Sequence, residues 1–149
     1  MIKSKYISDI LELLLDGEEG VFAKRQLSFI TEKEFDYTGT GLFVSFSYSE
    51  NISKYKISEA DLILNGVKVQ STEPPLEAEA ILFFSDGLID YLEIWCYLGN
   101  YPSRDLTKYT LEQIWKNSPN KIIATQEMTA EMNSGTINIA KYQEMPASN

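Results

Sequence analysis

The hydrophobic period of this chain changes once, and that change limits the folds open to it. Up to Asp16 the apolar residues recur at helical spacing. Tyr6, Ile10 and Leu13 form one row and Ile7, Leu11 and Leu14 the next, with Asp9, Glu12 and Asp16 largely off that face. Asp16-Gly17 is a stop signal, and a second short helix is predicted from about Glu18 to Gln26, with acids in its first turn and Lys24 and Arg25 near its negative end. From Leu27 onward the apolar residues alternate. A helix with one wide apolar face ahead of a run of strands has to cover a sheet, so the expected fold is α+β, with N-terminal helices packed on a mainly antiparallel, meander-like β-sheet.

The strands can be placed by their punctuation. "LSFITEKEF" and "GLFVSFSY" alternate on either side of "YTGTG", where Gly39 and Gly41 mark a turn or bulge. Asn65-Gly66 splits "ADLILNGVKVQS" into two alternating runs and predicts a two-residue hairpin. "STEPPLE" reads as a polar connection. Asp86-Gly87 then joins "AEAILFFS" to "LIDYLEIWCY", again as a tight hairpin turn. Further on, "TLEQIWKNSPN" fits a short helix or a strand, "KIIATQ" and "TINIAKYQ" read as late strands separated by "EMTAEMNSG", and "EMPASN" as a frayed tail. The chain is expected to form one domain over 1–149: helical over 1–27, antiparallel sheet over 28–99, helix or strand over 100–144, and tail over 145–149.

Composition excludes more chemistry than it suggests. With 13 Lys and Arg against 22 Asp and Glu, the net charge of −9 disfavours nucleic acid and anionic membrane surfaces and favours basic partners. There is no histidine, which removes imidazole metal sites, Ser-His-Asp triads and Cys-His pairs. The single cysteine, Cys96, lies among Leu92, Ile94 and Leu98 and reads as an inert core thiol. No nucleotide-binding loop is present, and no cofactor is expected. Asp9 and Glu12 interrupt the apolar N-terminal run, and no apolar stretch reaches membrane-spanning length, so a cytoplasmic protein is expected.

Carboxylates are the remaining reactive groups. Glu32, Glu34 and Asp36 share strand parity and read as a solvated face or a protected sheet edge, with hard-cation binding as the sharper alternative. In the last long strand, parity places Leu88, Asp90, Leu92, Ile94 and Cys96 on a core face and Ile89, Tyr91, Glu93, Trp95 and Tyr97 on the other. The burial tendency of large aromatics favours cover for this second face by a helix or the C-terminal segment. The competing reading is a partly open groove anchored by Glu93.

In its order of segments the chain resembles a family of small uncharacterised bacterial α+β proteins. The resemblance rests on Arg25, Gln26 and Leu27; on Thr38, Gly39, Gly41 and Phe43; and on Asp86, Gly87, Leu92 and Glu93. Leu42 departs from the family's Gly-Phe-Phe step, Ile89 from its spacing after Asp-Gly, and the residues after Pro102 have no counterpart in it. The resemblance implies a fold and no activity. A looser likeness in size, charge and style links the chain to immunity proteins of toxin systems. The expected function is therefore non-enzymatic binding of a basic protein, with a homodimer contact also open. Tyr91, Glu93, Trp95 and Tyr97 are the expected contact residues, together with Tyr37 and Thr38. The alternative is a small-ligand or carboxylate-dependent enzyme pocket between the Tyr37–Gly41 turn and Glu93.

Overall fold

A computed structural model describes residues 1–133. Helix α1 (Lys5–Leu14) is followed by a 3-10 helix (Val21–Phe29), strands β1 (Ile30–Tyr37) and β2 (Gly41–Tyr48), and a second 3-10 turn (Ile52–Tyr55). Strands β3 (Ile63–Thr72), β4 (Pro75–Ser85), β5 (Leu88–Gly99), β6 (Thr110–Gln113) and β7 (Ile122–Ala124) come next, then helix α2 (Gln126–Asn133). Among the described residues the strands form one antiparallel sheet in the order β1-β2-β5-β4-β3-β6-β7. The fold is α+β, with an N-terminal helix packed on an antiparallel sheet.

The apolar rows of α1 do what their spacing predicts. Tyr6, Ile7, Ile10, Leu11, Leu13 and Leu14 are all buried, and the helix lies across β3, β4 and β6. Burying each Ile or Leu contributes about 1.5–3 kcal/mol. Ser4 caps the helix by accepting from the Ile7 N–H at 3.1 Å. The Glu32 carboxylate accepts from the Lys3 and Ser4 N–H groups at 2.9 and 2.8 Å, placing an anion at the positive end of α1. Beneath the helix, Leu42 and Val44 of β2, Leu92 and Ile94 of β5, Ala78, Ala80 and Leu82 of β4 and Val67 and Val69 of β3 make up the inner face.

The β4–β5 hairpin turns at Asp86-Gly87, with φ of 54° and 78°, as the sequence predicts. Its tip is held by a side chain that sequence reasoning did not single out as structural. The fully buried Gln26 amide donates to the Tyr55 and Gly87 carbonyls, each at 2.9 Å, and accepts from the Ile89 N–H at 2.8 Å. Gly39 (φ 85°) turns the β1–β2 connection, and Gly41 lies so close to β5 that a Cβ would sit 1.9 Å from the Ile94 carbonyl oxygen.

Asn65-Gly66 is a correction. It forms a bulge inside β3 between Asn65 and Val67, and β3 runs on to a turn at Glu73-Pro74, so the strand pair closes there instead of at Asn65-Gly66. Gly66 adopts φ 101°, and a Cβ would lie 2.9 Å from Cβ of Trp115, so the bulge makes room for that ring. "TLEQ" is a strand, whereas the 3-10 form replaces the predicted second helix. The "EMTAEMN" segment, expected as a connection, belongs to α2, whose Met128 is buried. The predicted "TINIAKYQ" strand and the "EMPASN" tail lie outside the described residues.

Candidate functional site

The sheet has a second face, away from α1. Register places Phe43 of β2 opposite both Asp36 of β1 and Glu93 of β5, and Glu93 opposite Ile81 of β4. One row along, Tyr91 stands between Ser45 and Phe83; on the other side, Trp95 stands opposite Glu79. The rings form two groups. Tyr91 stacks on Phe83 with centroids 4.4 Å apart and 12° between planes, and Phe43 is 6.1 Å from Tyr91. Trp95 and Tyr97 lie 5.5 Å apart at 43°. Offset and tilted ring pairs at these separations are attractive, and they hold the rings in place.

Among the described residues this face is open over β2, β5 and β4. Trp95 is 50% exposed, Tyr97 45% and Phe43 36%. The reading favoured from sequence is cover by a helix or by the C-terminal segment: α2 meets the sheet elsewhere, at Thr72, whose hydroxyl donates to Glu131 at 2.9 Å and contacts Met128, with the Lys108 ammonium paired to Glu131, and the C-terminal segment lies outside the described residues. Glu93 is partly buried between rings, yet among the described residues its carboxylate has neither ion pair nor hydrogen bond, and the same is true of Glu79. The neighbouring Lys68 is committed to Glu77 at 3.0 Å. Burial raises the Tyr97 hydroxyl above its ordinary pKa, and the charges of Glu77, Glu79 and Glu112 add to the effect.

Parity needs correction at two points of β5: a register shift between Glu77 and Ala78 leaves Tyr97 without a register partner, and another lies nearer the turn. A bulge between Phe83 and Phe84 leaves Asp90 without a register partner, so Ile89 returns to the core opposite Phe84, while Asp90 is only partly buried. Tyr91, Glu93 and Trp95 keep the outer positions assigned to them. A similar bulge separates Glu32 from Glu34. Glu32 turns to the α1 end while Glu34 and Asp36 remain exposed, so the three acids do not form one row. No group of three metal-ligating side chains is found among the described residues.

Tyr37 and Thr38 do not join this site. Tyr37 pairs with Leu42, on the inner-face parity, stacks on Phe35 at 6.3 Å, and has its hydroxyl pKa raised by burial and by Asp105. Thr38 is exposed in the turn beside Thr40. Two cavities lie elsewhere. One of about 280 Å³ lies between Trp115, Asn65 and Glu18, and one of about 400 Å³ between Asp16, Lys24 and Lys121. Neither is bounded by the Tyr37–Gly41 turn or by Glu93. The Cys96 thiol donates to the Leu98 carbonyl oxygen at 3.3 Å, and burial raises its pKa, which keeps it protonated.

Phe43, Phe83 and Glu79 are the members of the face that sequence reasoning did not assign to it, and Asp36, read from sequence as part of an acidic row, joins them. Their signal was strand parity, but it becomes readable only once the pairing of β5 with β2 and β4 is known. Comparison with protein-family models, with curated proteins and with solved structures finds no match for this chain.

Proposed function

We propose that this chain is a non-enzymatic binding protein that engages a basic protein surface through the outer face of β2, β5 and β4. The observation that carries the reading is the pairing of exposed rings with carboxylates that have no cation partner among the described residues: Trp95 and Tyr97 beside Glu79, and Phe43 beside Glu93. Aromatic anchors dominate interface energies, and complementary charge speeds association and rejects wrong partners. The net charge of −9 adds long-range steering toward a basic surface. An immunity-type role, in which the acidic face occludes a basic toxin domain, is the specific form of this reading. A cytoplasmic setting belongs to it, supported by the single cysteine, which allows no internal disulfide in this sequence.

Capture from a bacterial lysate tests the reading, with the full chain and a Trp95→Ala/Glu93→Ala variant of matched stability as baits. Wild type is expected to retain a basic protein at low salt, losing it at high salt and in the variant. Equal retention by both baits, or self-association through this face with no basic protein bound, would overturn it.

A further inference from the structure

One corner of the outer face is built more specifically than charge attraction requires. Trp95 and Tyr97 present two tilted, half-exposed rings 5.5 Å apart, with the Glu79 carboxylate directly across the strand pair from Trp95. Glu93 lies two residues back along β5, opposite Ile81, so Glu79 and Glu93 are diagonal neighbours across β4 and β5. Diagonal pairs on a sheet are about 7–8 Å apart, a gap that the Glu side chains and the fork of one guanidinium together can span. Both carboxylates lack a hydrogen bond or ion pair among the described residues, and the nearest cation in the register, Lys68, is bound to Glu77.

We infer that this corner is an arginine-binding anchor: a guanidinium from the partner lies against the Trp95 and Tyr97 rings and donates to Glu79 and Glu93. Arginine is favoured over lysine on two grounds. Its flat, weakly hydrated cation stacks on an indole, and its fork of five N–H donors reaches two acceptors at once. A lysine ammonium can bridge two carboxylates, as Lys108 does between Glu73 and Glu131, but it has no flat face to lay on the indole while doing so. The inference rests on the binding reading above and narrows it to the residue type that the partner must present.

Eight-residue oligo-arginine and oligo-lysine peptides of equal charge provide the test, titrated into the full chain while the two indole N–H signals are followed by NMR. Both peptides feel the same net charge, so any difference between them reports the anchor. Oligo-arginine is expected to bind about tenfold more tightly than oligo-lysine. It should shift the Trp95 indole signal and leave that of Trp115 in place, and Glu79→Gln should remove the arginine preference without unfolding the protein. Equal binding of the two peptides, or shifts that spare Trp95, would overturn the anchor. If Trp95 and Glu93 are nevertheless needed to retain a basic protein from lysate, the anchor alone is wrong; if they are not, the binding reading falls with it.

Discussion

The two faces of one strand, β5, put side by side what holds this protein together and what it offers to others. On the inner side Leu92 and Ile94 are fully buried in the core among aliphatic neighbours, where shape and volume decide the cost of a change. On the outer side Glu93 and Trp95, their immediate chain neighbours, stand among rings and acids that contact solvent. Adjacent residues of a strand thus alternate between packing and the surface to which we assign recognition, and the outer set can change without disturbing the inner one. Large aromatics left half-exposed beside carboxylates that have no partner among the described residues do little for folding, which is why we propose a partner for them.

The sharpest way to break this contrast is to truncate both sides. Leu92→Ala is expected to cost about 3 kcal/mol in urea unfolding, since it removes buried methyl groups and leaves a cavity. Next comes Gln26→Ala, which strips the β4–β5 hairpin tip of its side-chain clamp, leaves the Gly87 carbonyl with the Ile57 N–H as its remaining partner, and removes the acceptor of the Ile89 N–H. About 2 kcal/mol is expected there, with faster amide exchange at Ile89.

Asp16 gives a pH-dependent contrast on the inner side. Burial alone would raise its pKa, but hydrogen bonds from Lys121, Lys24 and Gln113 outweigh that and lower it to about 2. A carboxyl whose folded pKa lies below its ordinary 3.8 contributes its full stability above that value and loses it as pH falls from about 4 towards 2. Asp16→Asn is therefore expected to lower stability by about 1–2 kcal/mol at neutral pH. The gap to wild type should close across that acid window in pH-dependent unfolding curves. The smallest effect on stability belongs to the outer face, where Trp95→Ala should cost less than about 1 kcal/mol while removing most of the binding to a basic partner.

What was legible in the sequence was whatever local chemistry decides. The boundaries of β2, the buried face of α1 and the Asp86-Gly87 turn all follow from spacing and from the φ values those residues accept. What was not legible depends on distant partners. Asn65-Gly66 has the composition of a hairpin turn, but the ring of Trp115, far along the chain, is packed against it and makes it a bulge. The bulges at Lys33 and Asp90 each reverse parity for the residues beyond them, so Glu32 and Ile89 were assigned to the wrong faces. The outer site was half legible: Tyr91, Glu93, Trp95 and Tyr97 could be grouped from one strand, but their exposure could not, because it depends on where α2 lies.

Hydroxyl-radical footprinting of the free full-length chain tests the central claim most directly, since it measures side-chain by side-chain whether the outer face of β5 is open. The account predicts rapid modification of Trp95 and Tyr97 and strong protection of Tyr6 and Tyr109, which are buried against α1 and the sheet. Protection of Trp95 and Tyr97 to the level of Tyr6 would mean that the face is already covered in the free protein, and it would contradict the account.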